Sequence, residues 1–303
     1  MRGVVENFTF IDTDADFDDW NTDLTQTGSG VRCSTVRQVN LGNVSLRIDR
    51  TNVAHTARCS LLSGKCILFF PPTSRGQTSW CGRALPPGSV ILVPPGQHLV
   101  KTQTANSMGL ELHISTDLVV ETGISLEMLL TGRGSQQVAF WEPGPEVSAL
   151  RRQIEALGKA TAPLNLQRDK SVAEMIGNTL SGADCHLLRP SRRHETALAA
   201  MELIGRETKD ELRVQTIACR LGVSERALEY SLRDVCGVSP HRFIKHRKLQ
   251  HVRKQIVTTD ATVTSAFSEV GVSNFGYFAG QYRHLFGESP SETARSRRHQ
   301  STA

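Results

Sequence analysis

One seven-residue pattern occurs twice in this chain, and it narrows the fold more than any other feature. Residues 218–224 read Ala-Cys-Arg-Leu-Gly-Val-Ser, and residues 267–273 read Phe-Ser-Glu-Val-Gly-Val-Ser, 49 positions further on. A second echo follows at an offset of 50, Gly237-Val-Ser-Pro240 against Gly287-Glu-Ser-Pro290. Self-similarity at such a spacing indicates one supersecondary unit built twice. Each copy reads as a short helix, a Gly-Val-Ser turn, a helix of about three turns, and a Gly-x-Ser-Pro stop.

The physics of one copy describes a helix-turn-helix. Thr216–Leu221 forms a helix with Ile217 and Leu221 inward. Gly222 can take the positive φ that a sharp turn needs. Ser224 suits an N-cap, and Glu225 sits in the first turn, where the helix dipole favours a carboxylate. Leu228, Leu232 and Val235 pack inward, leaving Arg226, Glu229, Tyr230 and Arg233 on the other face. In the second copy Ser273 is the expected cap, with Phe278, Tyr282 and Leu285 inward. Asn274, Phe275, Tyr277, Gln281 and Arg283 take outward or terminal positions. A single copy reads equally well as an ordinary helical hairpin. Two copies in a basic segment point instead to duplex DNA, whose major groove accepts an α-helix.

The segment between the copies supports this. Pro240–Thr259 predicts one long helix, with Phe243, Leu249, Val252 and Ile256 as its buried stripe. Eighteen or so residues span ~27 Å, which, with packing offsets, sets two recognition helices about one DNA turn apart. Residues 241–254 hold six Lys and Arg and no acid. Those charges read as a solvated face or, better here, as phosphate contacts. The expected base-reading residues are Ser224, Arg226, Glu229, Tyr230, Asn274, Phe275 and Tyr277. The expected phosphate contacts are Arg233, Arg242, Lys245, Lys248, Arg283 and Ser289.

The rest of the chain is different. Residues 1–190 carry a net charge of −1, and residues 191–303 carry +6. Residues 1 to about 115 show short β runs (Val36–Asn40, Val44–Ile48, Ile67–Phe70, Val90–Val93) between Gly, Pro, Ser and Asn clusters, which suggests a sandwich or barrel. From Leu118 to Leu188 the pattern turns helical, with Val147, Leu150, Ile154, Leu157 and then Val172, Met175, Ile176, Leu180 at helical spacing. The expected division is a β-rich domain at 1–117, a helical segment at 118–188, a linker at 189–196, a tandem helix-turn-helix domain at 197–297 and a tail at 298–303. Seven scattered cysteines without a CxxC argue against a disulfide framework or zinc finger. No apolar run reaches membrane-spanning length, and the acidic start (Asp12, Asp14, Asp16, Asp18, Asp19) is unlike a signal peptide, so a cytoplasmic protein is expected.

Residues 214–256 and 262–295 together resemble the tandem helix-turn-helix domain of the AraC/XylS family of bacterial transcription regulators. The resemblance rests on Ile217-Ala218-x-x-Leu221-Gly-Val-Ser224, Gly237-Val-Ser-Pro240, Arg247-Lys-Leu249 and Phe286-Gly-Glu-Ser-Pro290, and covers about a third of the chain. It implies a seven-helix domain on two adjacent major-groove segments, commonly beside a promoter, with RNA polymerase as a further partner. By position, Arg226, Glu229 and Tyr230 match the first base-reading helix, and Gly276, Tyr277 and Gly280 the second. Gly280 stands where the family often has a polar or Arg residue, so bidentate guanine readout cannot come from there. The first unit should therefore dominate sequence choice, with the second contributing phosphate contacts, shape and thymine-methyl packing.

The resemblance also implies a cupin-like β domain that senses a small-molecule effector, followed by helices around Val147–Leu157 and Val172–Leu180 that pair two chains into a homodimer or, on the alternative reading, lay their apolar stripes on the β domain. Gly88-Ser-Val-Ile-Leu-Val-Pro-Pro-Gly96 looks like a cupin strand and turn. Cupins can be metal enzymes, and His55, His98, Glu111 and His113 are the residues such a site would use, but they lack a compact His-x-His pair. The expectation is therefore no catalytic site, no metal and no cofactor. For the effector, Arg32, Arg37, Asn43, Ser45 and Arg58 form an Arg-rich set with Asn and Ser donors that suits a phosphate-bearing signal such as cyclic di-GMP. The set is similar to the Arg-x-x-x-Arg plus Asn-x-Ser arrangement of PilZ receptors, with one residue too many between the arginines. Arg32 and Arg37 should also face opposite sides of a strand. A regulator with no ligand at all is the alternative.

Overall fold

A computed structural model of the chain describes residues 4–11, 20–61, 64–71, 79–80, 83–124, 137–159, 168–207 and 212–300. The acidic run Asp12–Asp19, Cys81 and Pro163 lie outside the described residues.

The N-terminal half is two stacked antiparallel sheets. The larger has the order β1-β3-β4-β11-β6-β9-β12-β13. Its strands are β1 (Val4–Ile11), β3 (Cys33–Asn40), β4 (Val44–Thr51), β6 (Lys65–Phe70), β9 (Val90–Val93), β11 (Ser107–Ser115), β12 (Val138–Trp141) and β13 (Cys185–Leu188). The smaller runs β2-β5-β10-β7-β8, with β2 (Trp20–Gln26), β5 (His55–Leu61), β10 (His98–Gln103), β7 (Ser79–Trp80) and β8 (Arg83–Ala84). Among the described residues this is a pair of sheets and not a closed cupin barrel.

The uninterrupted apolar run of β6 follows from burial on both faces. Cys66, Leu68 and Phe70 point to one core and Ile67 and Phe69 to another. The first core lies beneath α1 (Thr116–Glu121), α2 (Pro145–Lys159) and α3 (Arg168–Leu180). The second fills one end of the space between the sheets, around Trp80, Phe69, Ile91 and Phe140.

One expectation needs correction. Residues 118–188 are not helical throughout, because β12 and β13 extend the large sheet from within them. Four-residue strands buried against a larger sheet leave too little periodicity to separate them from helix. Of the two readings of the stripes Val147, Leu150, Ile154 and Val172, Ile176, Leu180, the structure has the second: they are buried on the chain's own large sheet. Trp141 donates its indole N–H to Leu180 O at 3.1 Å and ties the end of α3 down.

The C-terminal half is helical, comprising α4 (Arg192–Arg206), α5 (Val214–Arg220), α6 (Glu225–Cys236), α7 (Pro240–Thr258), α8 (Val263–Glu269), α9 (Phe275–Phe286) and α10 (Pro290–Gln300). Helix α4 begins inside the expected linker, capped by Ser191, whose Oγ accepts the His194 N–H. The repeat is visible in the backbone. Gly222 and Gly271 turn at φ 65° and 68°, and Gly237 and Gly287 end the recognition helices at φ 71° and 78°. Helix α7 joins two cores. Its first half packs Phe243 and Ile244 against α4, α5 and α6, and its second half packs Leu249, Val252 and Ile256 against α8 and α9.

Candidate nucleic-acid interface and inner cavity

Helices α6 and α9 are amphipathic by construction, and their free faces are the candidate interface. On α6, Leu228, Leu232 and Val235 are buried, while Arg226 and Tyr230 are exposed. The Arg226 guanidinium donates to the Tyr230 hydroxyl at 3.1 Å from Nη2 and lies 5.5 Å from the ring centroid. Glu229, half-buried, accepts from Arg233 one turn on. Ser224 caps α6, its Oγ accepting the Ala227 N–H at 3.1 Å.

On α9 the cap is Asn274 and not Ser273. Its Oδ1 accepts the Tyr277 N–H at 3.1 Å, because the helix starts one residue later than in the first copy. Its side-chain carbonyl oxygen is thus engaged by the helix backbone. Phe275 and Tyr277 are exposed, and a Cβ at Gly280 would meet only open space. Five large apolar side chains are exposed among the described residues, and three of them, Tyr230, Phe275 and Tyr277, lie on these two helices. Such concentration marks a surface that takes a partner.

The expected phosphate contacts divide. Arg233, Arg242 and Arg283 are exposed. Lys245 and Lys248 are half-buried, and Lys245 donates to Gln281 of α9 at 2.6 Å. Burial, followed by the Arg242 charge, pushes the Lys245 ammonium below its ordinary value. With His246 and His284 these residues line a cleft of about 420 Å3 between α7 and α9. Ser289 is part of a capping box at the start of α10, accepting from Glu292 N and donating its own N–H to the Glu292 carboxylate.

Two of the six basic residues of 241–254 do not face outward. Arg253 is buried and donates to Glu288 at 2.8 Å, to Tyr282 and to Thr293. Arg247 donates to Asp23 of β2 at 2.6 Å. Sequence reasoning also passed over Arg193, which pairs with Asp234 and lies 5.6 Å from the Tyr230 ring. No local pattern marks it, since it precedes the repeat by a whole helix.

Within the N-terminal half, the space between the sheets is apolar at one end and charged at the other. A cavity of about 100 Å3 is lined by β3, β4 and β11 on one side and β2, β5 and β10 on the other. Arg32, Arg47 and Lys101 bring cations, and Asp49 and Glu111 bring carboxylates. Lys101 donates to Glu111 at 2.6 Å and stands 4.0 Å from Asp49. Burial disfavours the Lys101 ammonium, but Asp49 and Glu111 more than offset it and hold it above its ordinary value. Burial alone would raise Glu111, yet Lys101 and His113 hold it well below the usual carboxylate range. Asp49 is raised by burial despite Lys101. Burial and then Arg32 push His55 down to about 3, so it is neutral.

The five residues expected to bind a phosphate-bearing effector do not converge. Arg32 is buried at the cavity, with Nη1 donating to Ser34 at 3.1 Å. Arg37 faces a separate groove of about 640 Å3 between the large sheet and α2, with Arg50 and Lys159. Asn43 is exposed at the β3–β4 turn, Ser45 is buried on β4, and Arg58 pairs with Asp23 and Glu202 at the junction between the two halves. The strand period of two separates Arg32 from Arg37. Among the metal-site alternatives, Glu111 and His113 lie 3.5 Å apart and His55 lines the cavity, but His98 is hydrogen-bonded to Ser60 at the start of β10. No group of three or more His, Cys, Asp or Glu able to hold a metal ion occurs among the described residues. No described helix is long and apolar enough to cross a membrane.

Comparison with known proteins agrees with the geometry of the C-terminal half. Residues 217–296 match a family model described as a helix-turn-helix domain. A probable thc operon regulatory protein of Rhodococcus erythropolis is 32% identical over 100 residues, which are 32% of this chain and 30% of that protein. The XylDLEGF operon transcriptional activator 1 of Pseudomonas putida is 28% identical over 41% of this chain and 37% of its own length. A solved structure described as a probable AraC family transcriptional regulator from Rhodopseudomonas palustris is 31% identical, with 34% of this chain and 97% of that one covered, at a TM-score of 0.32. The chain thus spans about a third of the length of the curated relatives it matches. The matched segment is a helix-turn-helix domain. Over that domain the chain is similar to regulators of the AraC/XylS family.

Proposed function

We propose that the protein is a sequence-specific regulator of transcription that grips promoter DNA with α6 and α9 in successive stretches of major groove. The observation that carries this reading is the pairing of two like recognition helices, bridged by α7, whose free faces hold Arg226, Tyr230, Phe275 and Tyr277. The relatives are named as operon regulators and activators, which supports the same reading. Titrating labelled duplexes with the full chain at several salt concentrations tests it. Log affinity should fall linearly with log salt, by about 0.9 for each phosphate neutralised. Binding that ignores salt would contradict the proposal.

The effector proposal follows from the cavity. Its roughly 100 Å3 is well below the ~300–1,000 Å3 usual for small-molecule pockets. A cyclic dinucleotide is far too large for it. A small polar anion, with its charge toward Arg32 and Lys101, matches the lining better. Native mass spectrometry of undialysed protein should show a retained species of low mass, and only the bare chain mass if the proposal is wrong. A homodimer, where it forms, uses the outer faces of α2 and α3, because their inner faces are already covered.

A further inference from the structure

The smaller sheet has two working faces. Along β2, β5 and β10 side chains alternate with the strand period. Thr22, Leu24, His55, Ala57, Cys59, Lys101 and Gln103 line the cavity. Their neighbours in sequence reach the helical half instead. Asp23 and Thr25 accept from Arg247, and Arg58 pairs with Glu202 of α4. Val100 is buried in the core of the first helix-turn-helix unit.

The same face meets the ends of both recognition helices. The last carbonyls of an α-helix have no partner within it and must find one elsewhere. At the end of α6, Val235 O accepts from the Thr102 hydroxyl at 2.7 Å, and Cys236 O from the Thr56 hydroxyl at 3.4 Å. At the end of α9, Leu285 O accepts from Gln26 Nε2 at 2.8 Å and from Gly30 N at 2.9 Å. Gln26 also bonds Gly28 O and Gly30 O, so the segment after β2 is tied to the same point. Contact there is close, since a Cβ at Gly287 would lie 3.2 Å from the Val31 nitrogen.

We infer that the β2–β5–β10 sheet is a bracket that sets the separation of the two recognition helices, so that whatever occupies the cavity alters the spacing the chain presents to DNA. The regulatory half of this inference rests on the cavity being the effector site, whereas the bracket itself does not. A ligand changes the equilibrium only by fitting one arrangement better than another, and a sheet with its two faces on ligand and helices converts that preference into helix spacing. The N-terminal ends of α6 and α9, which would enter the grooves, remain free of these contacts.

Distance measurement between spin labels tests this without DNA or effector. Labels at Arg233→Cys and Arg283→Cys, with Cys33, Cys81, Cys185 and Cys219 changed to Ser, should give one narrow distance distribution in the full chain. Thr102→Val should broaden it by freeing α6, and Gln26→Met by freeing α9, while Thr102→Ser keeps the donor and restores the narrow form. Ala57→Leu, adding bulk on the cavity side, should shift the mean. Equal width and mean in all variants overturns the inference. If a variant fails to fold, hydrogen exchange in the unmodified chain decides. The Gly30 amide should be as protected as the core amides of α9, and its rapid exchange overturns the bracket. Loss of DNA binding with this distance pattern intact would count against the proposed function alone.

Discussion

The Asp49 carboxylate fills the space that a side chain on residue 109 would occupy. The two residues are partners across β4 and β11, and a Cβ on Gly109 would lie 2.0 Å from Asp49 Oδ1. The glycine is what lets a charged side chain lie flat on the sheet, beside Gln103 and within reach of Lys101.

Gly109→Ala should therefore push Asp49 out of place and unsettle the buried charge cluster. The expected cost is roughly 2–4 kcal/mol, typical of a disturbed buried polar network. Denaturant unfolding of the N-terminal half measures it. An alanine variant as stable as the parent would mean that Asp49 moves freely.

Lys101 is placed against both cavity carboxylates. Lys101→Met should leave Glu111 buried without its counter-charge, at about 3–5 kcal/mol. Glu111 sits well below its ordinary value in the folded parent, so its contribution is present above the unfolded value near 4.5 and is lost as pH falls below it. In the variant that contribution is gone, so its deficit should hold steady from pH 7 to 5 and shrink as pH is lowered below about 4.5. A deficit that does not change with pH would assign the loss to packing.

His194, buried at the start of α4, is pushed down to about 4 by burial, and His246 to about 4 by burial and then by Arg242. Both are neutral in the fold and protonate more readily once unfolded. Stability is full above the unfolded value of 6.5 and falls as pH drops toward 4, by about 3 kcal/mol for His194. His194→Gln should flatten the stability curve between pH 6.5 and 4. An unchanged slope would remove His194 as a source of acid sensitivity.

Arg226 and Lys248 should fail differently. On the proposed function Arg226 supplies a base-edge donor, and Arg226→Ala should relax preference between duplexes by about 1–3 kcal/mol at the affected position. Lys248→Ala should weaken all duplexes alike and lower the salt slope by about 0.9. Equal losses of specific and nonspecific binding in both variants would contradict these roles.

The helical half was legible because its signals are local. Gly222, Ser224, Gly237 and Pro240 each impose a backbone event, and their repetition marked a second unit with its buried Tyr282 and Leu285. The shift of the cap from Ser273 to Asn274 was not visible, since both residues can cap. In the N-terminal half the strands were readable, but what each charged residue faces was not. Arg32, Arg37 and Arg58 look alike in sequence, and strand pairing sends them to a cavity, a groove and the junction with the helices. Arg247 and Arg253 read as free charge because their partners, Asp23 and Glu288, are 224 and 35 positions away. The stripes of α2 and α3 announce burial without saying against what.

Selection of duplexes from a random pool by the full chain tests the central claim most directly. The account predicts an enriched site with two short segments centred about 10–10.5 bp apart, one helical turn, the spacing of two major-groove readers on one face. The segment read by α6 should be the more sharply defined, and Arg226→Ala should blur that segment alone. A pool that stays random after repeated rounds at low salt, or a single ungapped segment unaffected by changes in α9, would contradict it.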